Sequence, residues 1–364
     1  MDICVLGCGM QGRVAAVELS KNHNVTVLDI NCSNLKQLKK IPRIKTLEFD
    51  VTEGKKLCRF LKNFDIVLGA LPSSLGFYSL ECALKAKKDI VDMSYLPEDP
   101  FILDRFAKRL KIRIVVDAGF APGLSNILVG ETYREWGRID TLKIVVGGIP
   151  QKPLPPFYYR ITWSPADLIE EYLRPARILK NYKLTVVPAL TGIEEFTLRG
   201  VGRLECFYTD GLRTLLKTIK GARNMEEKTI RYPGHAELFK RFIDCKFFSD
   251  EVVELRGKKI RVKEFALEFL RNLLSRGDEK DISILIIEMG LGRRKKKYLI
   301  VDRYDTRRNI TSMARMTAYT GATITEVIKK YPRYGIIPPE YLGFEKKLCN
   351  EIKSTLRKRG IKIP

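Results

Sequence analysis

Residues 2–12 read Asp-Ile-Cys-Val-Leu-Gly-Cys-Gly-Met-Gln-Gly, and their reading decides the fold. Residues 2–6 are an apolar run of strand length, and Gly7, Gly9 and Gly12 follow at the spacing of a dinucleotide-binding turn. Residues 13–20 (RVAAVELS) carry helical apolar spacing, and the β-branched run 24–29 (NVTVLD) predicts a second strand. Strand, glycine turn, helix and strand form a βαβ unit. In that context the glycines let the backbone turn tightly against a pyrophosphate, and the helix N-terminus offers unpaired N–H groups. Gly7, Gly9, Met10, Gln11 and Gly12 are therefore expected to hold a dinucleotide. Asp29 ends the second strand, where a carboxylate accepts hydrogen bonds from the ribose hydroxyls and repels a 2′-phosphate. No Arg follows in Ile30-Asn31-Cys32, so NAD is expected in preference to NADP.

Alternation of strand-like and helix-like segments continues downstream. Strands are expected at 46–50, 65–71, 89–93 and 112–117, with helices at 54–63, 76–86 and 98–110. This is the pattern of an α/β chain with a doubly wound parallel Rossmann sheet. Ligands of such sheets bind outside the carboxyl ends of the strands. Those ends bear Asp50 and Val51, then Leu71 and Pro72, then Met93, Ser94 and Tyr95, and finally Asp117. Asp50 and Val51 are expected at the adenine, with a helix cap as the competing reading of Asp50. Leu71, Pro72, Met93 and Ser94 are expected beside the cofactor. Asp117 opens the turn Asp-Ala-Gly-Phe-Ala-Pro-Gly. Next to a nicotinamide it would serve as general acid or base if partial burial raises its pKa; otherwise it caps the helix near Gly123.

After residue 120 the pattern changes to longer strand-like runs, at 141–148, 157–164, 183–188, 203–208, 259–262, 282–289 and 297–304. They predict a second, α+β domain over 121–309 with a mostly antiparallel sheet, following a dinucleotide-binding domain over 1–120. The helical run 310–331 opens a C-terminal segment, 310–364, that returns to the first domain. In the second domain Arg231 suits a grip on a substrate carboxylate. His235 stands in a Gly-Pro turn, suiting a catalytic or a structural role, and Trp163 and Tyr172 suit a substrate wall or a core.

Composition narrows the classes. The chain has 364 residues, 45% of them hydrophobic and 30% charged, which fits two folded domains and excludes disorder. No run is long and apolar enough to span a membrane, and no secretory signal is visible, so a cytoplasmic location is expected. Two histidines and eight cysteines without a Cys-x-x-Cys pair argue against a metal site and for reduced thiols. The net charge is +23, and residues 251–364 hold 27 basic and 14 acidic side chains. The run Arg293–Lys297 reads as a solvated hairpin tip, so nucleic acid is not the expected partner.

Several segments together resemble the saccharopine dehydrogenase-like oxidoreductases, and within them the lysine 6-dehydrogenase branch: VLGCGMQGR, DIVDMSYLPEDP, VVDAGFAPGLSNIL, YRITWSPADLIEEYLRPARI, FYTDGLRTLL, TIRYPGHAE and TSMARMTAYTGA. The resemblance implies a Rossmann domain, a second mixed-sheet domain, a homodimer formed through that second domain, and oxidation of an amine-bearing carbon with NAD(P). It also implies that Ser94 and Tyr95 face nicotinamide and substrate, and that Asp117 is the acid–base residue. Saccharopine-forming relatives carry an Asp before the Pro-Gly of the turn at 119–123, where this chain has Ala121. That favours L-lysine 6-dehydrogenase, with saccharopine dehydrogenase or another secondary-amine oxidoreductase as the alternative. A non-catalytic NAD-binding or nucleic-acid-associated protein is the alternative of another class.

Overall fold

In the computed structural model, residues 1–161, 165–274 and 280–364 are described. They divide into two compact units, Met1–Gly137 with Ala314–Ile363, and Arg138–Met313 with the terminal Pro364. The boundaries differ from those read in the sequence. The helix Leu124–Trp136 belongs to the first unit rather than opening the second, and the return begins at 314 rather than 310.

The first unit is built on six sequential strands: β1 (Asp2–Leu6), β2 (Asn24–Asp29), β3 (Ile44–Glu48), β4 (Ile66–Gly69), β5 (Asp89–Asp92) and β6 (Arg113–Val115). The C-terminal strand Gly335–Ile337 completes a sheet of order Gly335–Ile337, β6, β5, β4, β1, β2, β3, every neighbouring pair parallel. Chain order reverses between β1 and β4, which opens a crevice at their carboxyl ends. Both central strands are buried along almost their whole length, as near-continuous apolar runs in parallel sheets should be. The third strand covers 44–48 instead of 46–50. The helix expected over 98–110 divides into a 3₁₀ turn at Pro100–Leu103 and a helix at Asp104–Leu110.

Two glycines dock the return. A Cβ on Gly130 would lie 2.1 Å from the Glu340 carbonyl oxygen, and one on Gly343 would lie 2.2 Å from that of Ile127. The helix Pro339–Phe344 thus packs backbone to backbone on Leu124–Trp136. Arg359 then ties the C-terminal segment to the first helix, with Nε on Glu18 at 2.9 Å, and to the helix Ser312–Val327, with Nη2 on Glu326 at 2.8 Å.

The second unit holds β7 (Thr141–Pro150), β8 (Ala176–Lys180), β9 (Lys183–Val187), β10 (Glu194–Leu198), β11 (Gly202–Tyr208), β12 (Asn224–Arg231), β13 (Val252–Leu255), β14 (Lys258–Arg261), β15 (Asp281–Leu291) and β16 (Arg294–Arg303). Eight of them form one sheet with the path β10-β11-β12-β7-β15-β16, while β8 pairs with β12 and β9. Only β12 and β7 run parallel. The sheet is therefore mixed, with Val145, Ile149, Leu204, Ile230, Ile284 and their neighbours packing its core. β13 and β14 form a separate hairpin. Residues 155–158 make a turn and 159–161 have no regular structure, where the strand over 157–164 was expected; 162–164 lie outside the described residues. β8, β10, β12 and β13 went unread in the sequence. β12 (NMEEKTIR) carries two Glu and one Lys, and only partners distant in the chain make its burial tolerable. Of the basic run, Arg293 sits in the exposed turn between β15 and β16, and Arg294–Lys297 form the first, largely exposed residues of β16.

Candidate active site

At the carboxyl end of β1 the chain turns through Gly7 with φ of +97°, and a Cβ there would lie 2.5 Å from the Ala70 carbonyl oxygen. Gly12 approaches as closely, since its Cβ would stand 2.1 Å from the Gly7 oxygen. Gly9 precedes the helix Met10–Ser20 and is different: nothing lies within 4 Å of a Cβ placed on it. The first-turn N–H groups of this helix face that open space without a side-chain cap. Beside the turn, Asp29 Oδ2 accepts the Cys8 N–H at 2.6 Å and Oδ1 accepts the Asn31 N–H at 2.7 Å. Burial, then the Asp29 charge, pushes the Cys8 thiol up to about 11. An open donor-rich turn with an anchored acid at its side fits a dinucleotide. The backbone of Gly9, Met10 and Gln11 would meet the pyrophosphate, and Asp29 the ribose.

Other predicted cofactor residues lie along the same carboxyl edge. Asp50 caps no helix: Oδ1 accepts the Thr52 N–H at 2.9 Å and its hydroxyl at 2.7 Å, closing a turn. Val51 is buried in the core, Leu71 packs against that core, and Pro72 precedes the helix Ser73–Ala86. The Met93 side chain lies against Gly321, where a Cβ would come within 2.4 Å of its sulfur. Buried Ser94 gives its N–H to Asp92 Oδ1 at 2.8 Å and its hydroxyl to the Leu71 carbonyl at 3.0 Å, while Tyr95 is half-buried. Burial pushes the Asp92 carboxyl up to about 6, with the nearby Asp117 charge adding to the rise. Asp117 is 1% exposed and takes the left-handed φ of +54°. The next helix has Gly123 as its N-cap residue, with the Asn126 side chain accepting the Gly123 N–H at 3.3 Å.

The second unit contains a chain of buried polar groups. His235 opens the helix His235–Asp244, whose first turn is held by Glu205, accepting from Gly234 N–H at 2.9 Å and Ala236 N–H at 2.7 Å. His235 Nδ1 lies 2.8 Å from the Phe157 carbonyl, and Nε2 lies 2.8 Å from the Tyr172 hydroxyl. Arg231 Nε donates to that hydroxyl at 2.8 Å, Nη1 to the Ile230 carbonyl at 2.7 Å, and Nη2 to Glu171 Oε2 at 3.4 Å. Its guanidinium also lies over the Tyr159 ring, 4.5 Å from the centroid. Beyond Glu171 the line continues through three short oxygen–oxygen contacts. Thr229 Oγ1 is 2.7 Å from Glu171 Oε1, Thr209 Oγ1 is 2.8 Å from Thr229 Oγ1, and Glu227 Oε2 is 2.7 Å from Thr209 Oγ1.

This network places the second-unit residues singled out in the sequence. Arg231, 2% exposed, spends three donors inside the unit and does not offer the expected free fork to a substrate carboxylate. His235 is wholly buried with both ring nitrogens engaged, Nδ1 by the Phe157 carbonyl and Nε2 by the Tyr172 hydroxyl, which matches the structural role left open beside the catalytic one. Tyr172 is likewise interior, its hydroxyl shared between Arg231 and His235. Trp163 lies outside the described residues. Glu171, Thr209, Glu227 and Thr229 were missed. The quoted segments EEYLRPA, YTDGL and TIRYPGH contain Glu171, Thr209 and Thr229 but not Glu227, and nothing in one sequence joins them.

Models of known families match most of the chain. One described as the saccharopine dehydrogenase C-terminal domain matches residues 119–361, and one described as the saccharopine dehydrogenase NADP binding domain matches residues 3–115. Among curated proteins, saccharopine dehydrogenase [NADP(+), L-glutamate-forming] of Saccharomyces cerevisiae is 24% identical over 284 residues, 74% of this chain and 63% of that protein. The alpha-aminoadipic semialdehyde synthase of Arabidopsis thaliana is 22% identical over 273 residues, 69% of this chain but 26% of its own. The chain thus spans under two thirds of these relatives. Among solved structures, the apo saccharopine dehydrogenase (L-Glu forming) from S. cerevisiae superposes with a TM-score of 0.80 at 18% identity, covering 100% of this chain and 98% of that one. The homospermidine synthase from Legionella pneumophila, solved with NAD, gives 0.70 at 12% identity over 100% and 90% of the two chains. Both likenesses are of fold.

Proposed function

The chain belongs to the saccharopine dehydrogenase family, and from that premise we propose that it is a pyridine-nucleotide-dependent oxidoreductase that oxidises an amine-bearing carbon of an amino acid. The observation that carries this reading is the first unit's carboxyl edge, where the open turn at Gly9 and the anchored Asp29 stand on the same edge as Asp117. A dinucleotide held there would supply the hydride acceptor for the substrate carbon. The chain's own part is to fix the dinucleotide through the glycine turn and Asp29, and to manage one proton at Asp117. A substrate ammonium must lose a proton before its nitrogen lone pair can assist hydride departure, and a carboxylate is a suitable acceptor.

L-Lysine, oxidised at its ε-carbon, is the first substrate reading. It is supported by Ala121 in the Pro-Gly turn and by the internal commitment of Arg231, which leaves that guanidinium little for a substrate rich in carboxylates. Saccharopine is the second reading, favoured by the names of the curated relatives. NAD is proposed as cofactor because the Asp29 carboxylate would face a 2′-phosphate, although the matching family model and the yeast relative are described with NADP. The test is reduced-nicotinamide formation with L-lysine or saccharopine and either nucleotide. Ammonia released in step with reduced nicotinamide from lysine supports ε-deamination. Turnover of saccharopine alone replaces it with the secondary-amine reading, and turnover of neither overturns both. Cytoplasmic location and a homodimer through the second unit remain proposals of the same reading.

A further inference from the structure

We propose that Glu227 is a neutral carboxylic acid in the folded protein, and that its proton makes it the positioning residue for Glu171 and, through Glu171, for Arg231. The argument is a count of hydrogens. Glu227, Thr209, Thr229 and Glu171 are joined by three oxygen–oxygen contacts of 2.7, 2.8 and 2.7 Å. Each is an ordinary O–H···O distance and needs a hydrogen between its atoms. Two threonine hydroxyls supply two. The third must sit on a carboxyl group at one end, since two lone pairs would otherwise face each other at van der Waals overlap.

Surroundings decide which end holds it. Glu171 faces the permanent cation of Arg231, which would have no anionic partner on its Nη2 side if Glu171 were neutral. Among the described residues none forms an ion pair with Glu227. Its neighbour Asp210 is itself an acid, already gripped by Arg177 at 2.7 Å, and the adjacent Lys228 directs its Nζ to Glu194 and the Gly192 carbonyl instead. Burial raises Glu227 well above the usual carboxylate range, with Glu171 and Asp210 adding to the rise. The backbone is shaped to this group. A Cβ on Gly211 would lie 2.4 Å from Glu227 Cδ, so only glycine fits beside the carboxyl; the Gly211 N–H, 3.1 Å from Oε2, by itself favours the carboxylate and is outweighed by burial and the two neighbouring acids. The hydrogens then run one way: Glu227 donates to Thr209, Thr209 to Thr229, and Thr229 to Glu171 Oε1, which leaves Oε2 to Arg231. All these residues belong to the second unit, so the inference is independent of the substrate and of the cofactor.

Two measurements on the intact protein test it at pH 8, where Asp92 and Asp281, both near 6, are ionised. In infrared spectra, wild type should show a protonated-carboxyl C=O band that is lost in E227Q and kept in E171Q. Retention in E227Q, or loss in E171Q alone, overturns the assignment. Should either variant fail to fold, wild type labelled with ¹³C at glutamate Cδ decides. One glutamate resonance should stay at the neutral-acid position at pH 8. All of them at the carboxylate position would refute a protonated Glu227.

Discussion

The Tyr172 hydroxyl and His235 Nε2, 2.8 Å apart, fix the state of the histidine. On the other side of the ring the Phe157 carbonyl can only accept, so Nδ1 carries the hydrogen, and Nε2 is left to accept from Tyr172. Tyr172 in turn accepts from Arg231. That tautomer is a neutral imidazole, and burial, then the Arg231 charge, pushes its pKa down to about 3.

This makes acid stability a reporter of His235. In the unfolded chain an ordinary histidine takes up a proton as pH falls through about 6.5, and the folded one refuses it until about 3. The unfolded state therefore binds more protons across that window, and folding weakens as pH falls, by about 1.4 kcal/mol per unit. Between pH 7.5 and 5, wild type should lose about 2 kcal/mol more unfolding free energy than His235→Gln. Urea titrations at the two pH values measure it; parallel losses in both proteins would mean that His235 is charged in the fold.

The two glycines that flank the start of the first helix should fail differently. Gly12→Ala forces a Cβ to 2.1 Å from a backbone oxygen that cannot move cheaply, which should cost about 1–3 kcal/mol and lower the Tm. Gly9→Ala meets nothing within 4 Å, so the Tm should hold while the Kd for the dinucleotide rises by about tenfold or more. Thermal unfolding and cofactor titration on both variants separate the outcomes. An unchanged Kd in Gly9→Ala would remove this turn from the cofactor site.

Asp29 should govern the choice of nucleotide. Removing its charge with Asp29→Ser takes away charge-assisted bonds to the ribose and the repulsion of a 2′-phosphate. The ratio of kcat/KM for NAD over NADP should fall by about tenfold or more. A wild-type enzyme that already prefers NADP would sink the proposed role.

What could be read in the sequence and what could not follows the range of the interactions. The glycine turn was legible because strand, turn, helix and acid lie within 29 residues and each obeys a local rule. The parallel sheet was legible from apolar runs that are buried on both faces. β12 was not, because Glu227 and Lys228 look like solvent-facing residues until Thr209 and Glu194, from other strands and loops, are folded against them. Arg231 was recognised as important, but its partners inside the unit were not visible. Glu171 and Tyr172, which hold it, come about 60 residues earlier in a helix whose pairing with β12 no local pattern announces.

Asp117 is the residue on which the proposed chemistry turns. It ends the stretch after β6 in a left-handed conformation and is almost fully buried, and the N–H of the next residue, Ala118, is bound to the Asp92 carbonyl at 2.8 Å. Asn is nearly isosteric, tolerates the left-handed region and keeps an oxygen acceptor, but cannot take a proton. Asp117→Asn should therefore fold as wild type and bind dinucleotide with nearly the same Kd. Its kcat should drop by about 10²- to 10⁴-fold, the range expected when a general acid–base is removed. The control lies in the neighbour: Asp92→Asn alters the adjacent buried acid, whose partners are Ser94 and Ser79, and should leave more turnover than Asp117→Asn. Steady-state rates set beside cofactor titrations read both variants. Wild-type turnover in Asp117→Asn would take this carboxylate out of the mechanism, and an equal loss in both would assign the proton to the pair instead of to Asp117.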